Sequence, residues 1–215
     1  MAKLIKKVLG YSRGKVADIV VRKYRKDTVV SGYQPDPRDP KTNAQLIQRT
    51  RFGALAALTS RFNPAVELGY AEAAAGTSMA PRNAFMKDNF EHVQSSSPGT
   101  STINYADLAV AKGTFYGVQF GGVHATNPLE IDLSWVTNED LPGTDSADIV
   151  QLFAFCPDAN EGIMATPRAR SSASAVIEVP SYWNGMKVHV WGFVQAKDNV
   201  KHVSQSVYIG NVTIS

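Results

Sequence analysis

The residues able to do chemistry are few and scattered. Glu139 and Asp140 are adjacent carboxylates, and Glu130 with Asp132 makes a second pair two positions apart, the raw material of general acid–base catalysis. The first pair falls in a turn-like run, Thr137-Asn138-Glu139-Asp140, and the second on the polar side of an alternating strand; both settings solvate carboxylates rather than aim them at a substrate. No Gly-x-Ser-x-Gly elbow occurs, and Gly117-Val118-Gln119-Phe120-Gly121-Gly122 lacks the Lys-Ser/Thr of a phosphate loop. Cys156, the single cysteine, precedes Pro157 at a strand end and reads as a small buried apolar residue; alone, it excludes an internal disulfide. His92 has no cysteine, second histidine or carboxylate pair at metal-ligand spacing. The expectation is a protein that is not an enzyme and uses neither cofactor nor metal.

Binding chemistry is better represented. Met1 to Arg61 holds fourteen lysines and arginines against four acids, a net of +10, while the remaining eight basic and fifteen acidic residues give −7. The overall +3 conceals this dipole. Three readings compete for the basic end. Residues 3–26, with Tyr11, Tyr24 and Tyr33 interleaved, can neutralise phosphates and stack bases of nucleic acid. The same charges can guard a strand edge against aggregation. They can also dock on the acidic part of an identical subunit, which is favoured because the complement lies in the same chain. At the other end, Tyr182 and Trp183 in the turn Ser181 to Gly185 are candidate exposed aromatics for a contact or a carbohydrate platform, whereas Trp191, between Val190 and Phe193, reads as core.

These residues need elements to hold them. Residues 1–34 read as a basic β-arm: extended pieces about a turn-like centre, Tyr11 to Lys15, then Val16 to Val21 and Thr28 to Val30, with Val16, Ile19, Val21, Arg22, Lys23, Tyr24, Arg25, Val29 and Val30 as subunit-contact candidates. An isolated hairpin is marginal in water, so the arm requires a partner sheet. Residues 35–42 form a strap in which Pro35, Pro37 and Pro40 impose extended geometry. A helical segment, 43–94, follows. Its first helix carries a core stripe, Ile47, Ala54, Leu55, Leu58 and Phe62, and a second face, Gln45, Gln48, Arg49 and Phe52. A further helix is expected over Pro81 to Val93, then a loop over Ser95 to Thr100. From 101 to 215 about seven short strands between turn signals predict an antiparallel β-sandwich, immunoglobulin-like in general form although the Cys…Trp…Cys hallmark is missing. The fold class is therefore α+β, mainly β. Length suits one good core with an appendage, and no signal-peptide or membrane-spanning run is seen, so a chain made in the cytoplasm without Sec export is expected.

The pieces Gly14-Lys15-Val16, Asp39-Pro40-Lys41-Thr42-Asn43-Ala44-Gln45 with Gln48, Arg49 and Phe52, Tyr105 to Gly113, Val190 to Val194 and Ser204 to Val212 are similar to a large uncharacterised family of about this length from Bacteroidota and their phages. The Pro-x-Thr-x-x-Gln-x-x-x-Arg-x-x-Phe piece is its most specific part. The resemblance implies fold and ancestry, and no catalytic residue carries over. The function expected is a non-enzymatic, self-assembling structural subunit, a homo-oligomer of a virion, ring or filament; the alternatives are nucleic-acid binding through the basic end and ligand or carbohydrate binding by the sandwich.

Overall fold

The computed structural model describes residues 2–4, 13–24, 27–36 and 39–215. Arg25, one of the arm candidates, lies outside the described residues. The chain divides into two compact units, residues 1–42 and 43–215.

The first unit is a four-stranded antiparallel sheet rather than a lone hairpin. Strands β1 (Ala2–Leu4), β2 (Gly14–Val16), β3 (Ile19–Tyr24) and β4 (Asp27–Gly32) lie in the order β1-β4-β3-β2. A turn falls at Ala17-Asp18, and Gly14 to Val16 are paired with Ile19 to Val21, so Gly14 and Lys15 of the expected turn are in a strand; Tyr11 and Ser12 lie outside the described residues.

The second unit opens with helices α1 (Asn43–Arg61), α2 (Asn63–Gly69), α3 (Ala71–Ala74) and α4 (Pro81–Asn89). Pro64 sits in the first turn of α2, where its missing N–H costs nothing, so Asn63-Pro64 starts a new helix rather than bending the old one. The helix expected over Pro81 to Val93 ends earlier. A single 3₁₀ turn, Phe90–His92, leads into strand β5 (Val93–Ser97), which pairs with β6 (Thr100–Ile103). The expected loop at Ser95 to Thr100 is thus a hairpin. It is tied to α1 by the Gly99 N–H donating to Thr50 Oγ1 at 2.9 Å and by Arg51, whose Nε donates to the Val93 carbonyl at 2.6 Å.

The sandwich follows: β7 (Gln119–His124), β8 (Glu130–Val136), β9 (Ile149–Cys156), β10 (Glu161–Met164), β11 (Arg168–Ala169), β12 (Ser174–Glu178), β13 (Lys187–Ala196), β14 (Asn199–Val203) and β15 (Val207–Thr213). One sheet has the order β12-β8-β7; the other has β10-β9-β13-β14, with β11 on β9 and β15 on β13. All of these ladders are antiparallel. The fold is mainly β, an antiparallel two-sheet sandwich carrying helices.

The large sheet is covered on both faces. Towards the small sheet, Val150, Leu152, Ala154, Val188, Val190 and Val194 meet Ile131, Leu133, Trp135, Ala175 and Ile177. Towards the helices, Phe153, Phe155, Trp191 and Phe193 meet Leu55, Leu58, Phe62, Val66, Tyr70 and Phe85. This is why β9 and β13 are buried along almost their whole length while β8 and β12 alternate. Phe62 is the hub of the second layer, with ring centroids 4.8 Å from Phe153, 4.9 Å from Phe155 and 5.5 Å from Trp191. The helical segment therefore shares its core with the sandwich, and segments 43–94 and 101–215 lie in one compact unit.

Candidate functional site

Alternation assigns the arm residues to two faces. Direct cross-strand partners share a face, and Val16 pairs with Ile19, Gly14 with Val21 and Val21 with Val30. Val16, Ile19, Val21 and Val30 thus make one apolar row, which also holds Lys23. Lys15, Val20, Arg22, Tyr24 and Val29 occupy the opposite, basic face. Val21 is buried, but Val16 is 63% and Ile19 45% exposed, so the turn end of the apolar row is open. On the basic face Tyr24 is exposed, and the Lys15 ammonium stands 3.3 Å from the centroid of the Tyr33 ring, a cation–π contact.

On α1, Gln45, Gln48, Arg49 and Phe52 are all on the outer side, with Phe52 at 58% exposure. Phe52 lines an open groove of about 540 Å³ with Asn83, Met86, Lys87 and Phe90. The Arg51 guanidinium covers the Phe90 ring at 4.4 Å, and the groove is lined by apolar Phe52, Met86 and Phe90 with polar Asn83 and Lys87. The two stripes read from the sequence lie on different sides of this helix, one towards the core and one towards solvent.

Tyr182 and Trp183 part company. Tyr182 is exposed and donates its hydroxyl to Glu161, which holds the phenol above its ordinary pKa. Trp183 is fully buried in the sandwich core, so the expected exposed aromatic pair does not exist. The short 3₁₀ turn Ser181–Trp183 closes the end of the sandwich: it turns the indole inward while its neighbour faces out. The indole Nε1 of Trp183 is buried without a hydrogen-bond partner among the described residues.

The groups considered for chemistry are not brought together. Cys156 is buried against Met186, sulfur to sulfur 3.6 Å. Asp132 accepts from the Thr126 amide and Glu130 from the Asn127 side chain, both local contacts. Among the described residues no group of three His, Cys, Asp or Glu side chains is placed to hold a metal. His92 lies 4.0 Å from Asp107 and is partly exposed.

Three constellations have no counterpart in the sequence motifs. Arg170, fully buried, donates from Nε to Asp148 Oδ2 at 3.2 Å and from its terminal nitrogens to the carbonyls of Tyr116, Gly117 and Thr137. Glu72 bridges α3 to the sandwich by accepting from Thr114 Oγ1 at 2.7 Å and the Val203 amide at 3.0 Å. Burial pushes the Glu72 pKa up, but the Thr114 and Val203 hydrogen bonds and nearby His202 outweigh it and leave the carboxyl below its ordinary value. Finally His189 shares a hydrogen bond with the Tyr208 hydroxyl at 2.8 Å beside Tyr105, and burial, helped by Lys187, lowers its pKa. Each of these ties one element to another. Nothing in their spacing along the chain, such as 22 positions between Asp148 and Arg170, announces them.

The class defined by this geometry is a helix-covered β-sandwich with a separate basic sheet. The chain belongs to a family of unknown function (DUF6266), whose family model matches residues 11–210. No curated protein matches it. Among solved structures the chain is similar to the fn3 domain of human collagen alpha-1(XX) chain, at 13% identity and a TM-score of 0.34, covering 49% of this chain and 85% of that one. Among the described residues no helix is long and apolar enough to cross a membrane.

Proposed function

We propose that the protein is a non-enzymatic structural subunit that assembles with copies of itself through its N-terminal sheet. The observation that carries this reading is the apolar row of that sheet, open at Val16 and Ile19, in a unit of only 42 residues. A sheet of that size buries too little apolar surface to be self-sufficient, and its exposed row is stabilised when a second surface covers it. Charge supports a like partner. Residues 1–42 hold eleven basic and four acidic residues, whereas residues 43–215 hold eleven basic and fifteen acidic. Copies joined from arm to body form rings or filaments, according to whether the rotation closes. A virion or filament component suits this, and so does the similarity, through Pro40, Thr42, Gln45, Arg49 and Phe52, to proteins of Bacteroidota and their phages.

Static light scattering on the purified protein across a salt series, beside a variant lacking Met1 to Gly32, tests the reading. The expected result is a multimer for the full chain and a folded monomer for the variant. Equal masses for the two overturn it.

Nucleic-acid binding is the second reading, favoured by Lys15, Arg22 and exposed Tyr24 on one face. It predicts oligonucleotide affinity that falls steeply with salt in a monomeric protein. A carbohydrate platform loses its basis with the burial of Trp183.

A further inference from the structure

Resting on the reading of the arm as the joining element, we infer where it joins: the outer edge of β12, Ser174–Glu178, receives edge strand β2 of a second copy.

The edge is identified by its hydrogen-bond register. The Trp135 N–H donates to the Ala173 carbonyl at 2.9 Å and the Val179 N–H to the Leu129 carbonyl at 2.9 Å, which makes 173/135 and 179/129 bonded pairs. In an antiparallel ladder bonded pairs alternate with non-bonded ones, so Ala175 and Ile177 bond inward to Leu133 and Ile131. Ser174, Val176 and Glu178 then direct their backbone N–H and C=O groups away from β8. Among the described residues these groups have no backbone partner.

Parts of the other margins of the sandwich touch neighbouring elements, although Val200 on edge strand β14 is exposed. Strand β7 runs beside β15, where Val123 fills the space above Gly210. At the end of β14 the Val203 amide is taken by Glu72. At β10, a Cβ on Gly162 would meet the Arg61 carbonyl from the helical layer. At β12 lies an open cleft of about 410 Å³, lined by Arg168, Ser172, Ser174 and Val176 and reaching over the outer face to Asp132 and Leu133 of β8. A row of unpaired backbone groups next to open space is a template for strand addition.

The occupant is argued from charge. On the outer face of the small sheet Glu130 is directly opposite Glu178, and Asp132 follows two residues along. Like charges directly opposite destabilise a sheet, and a basic strand laid alongside relieves them, even with Arg168 supplying one positive charge nearby. Strand β2 is an edge strand of the N-terminal sheet. Its pairs 16/19 and 14/21 flank a two-residue turn, so the backbone of Lys15 between them faces outward, and its side chain shares a face with Arg22. The body thus offers an acidic open edge, and the arm a basic one.

The test uses the full chain with Val176→Pro or Glu178→Lys. Proline at 176 removes an outward N–H and no bond to β8, and Glu178 is exposed, so both variants are expected to melt as the parent does. The expected result is at least a roughly tenfold weaker self-association in light-scattering dilution series, with Lys15→Glu restoring affinity to the Glu178→Lys variant. Should Val176→Pro unfold, Glu178→Lys decides alone. Unchanged association in folded variants, with the Met1 to Gly32 deletion monomeric, overturns the β12 assignment and leaves the arm reading standing. A full-length protein that is monomeric overturns both.

Discussion

Arg170 and Asp148 carry opposite charges into the interior, where each is bearable only through the other and through the carbonyls and amides around them. Asp148→Ala strands the guanidinium, and a loss of about 3–5 kcal/mol is expected, read as a melting temperature lower by roughly 6–20 °C in scanning calorimetry. A drop of a degree or two would mean that the guanidinium finds solvent. The tryptophans make a finer comparison. Trp191 donates from Nε1 to the Leu108 carbonyl at 3.0 Å and Trp183 donates to nothing among the described residues, so Trp191→Phe is expected to cost about 1 kcal/mol more than Trp183→Phe in denaturant titration. Glu72 supplies a pH dependence. Its pKa is lower in the folded chain than the ordinary 4.5, so its contribution is present above that value and lost as pH falls through the folded one. Glu72→Gln should flatten the acid limb of stability against pH below about 4.5 and leave the neutral region parallel; an unaltered acid limb would contradict this. The core place of Trp191 is legible in the sequence, but the roles of Arg170, Asp148 and Glu72 are not, since Arg-Ala-Arg-Ser-Ser around Arg170 looks like a solvated loop, and burial of a charge depends on partners far along the chain.

Elements are easier to read than residues where a period is present. Helix α1, alternating β8 and strands β9 and β13 follow from local pattern. The hairpin β5–β6 is hidden because Ser95-Ser96-Ser97-Pro98-Gly99 has turn chemistry throughout, and what makes its flanks strands is the hold of Arg51 and Thr50 on α1. Trp183 departs from its expected exposure for a related reason: a turn seldom buries an indole unless it closes the end of a core. Packing between elements sets a sharper condition at Gly192, where any Cβ would run into the ring of Phe120 from the facing sheet. Gly192→Ala is expected to destabilise by about 1–3 kcal/mol through overpacking, with a lower denaturation midpoint and an unchanged slope. Removing the ring relieves the clash, so Phe120→Ala should make Gly192→Ala tolerable, a coupling visible in a double-mutant cycle. Strictly additive losses would mean that the sheets separate instead of clashing.

At the scale of the molecule, the charge dipole and the separateness of the basic end are visible in the sequence, and so is the sandwich. The union of helices and sandwich about Phe62 is not, because the aromatic residues that make it are spread from position 62 to position 193. The result is a body with its own two-layered core and an arm whose apolar row is open at Val16 and Ile19. Assembly between copies is the use this division suggests, and it is most directly tested by the mass of the full chain in solution beside that of the chain without Met1 to Gly32. The account predicts a multimer that becomes a folded monomer on deletion. Two proteins of the same oligomeric state would contradict it.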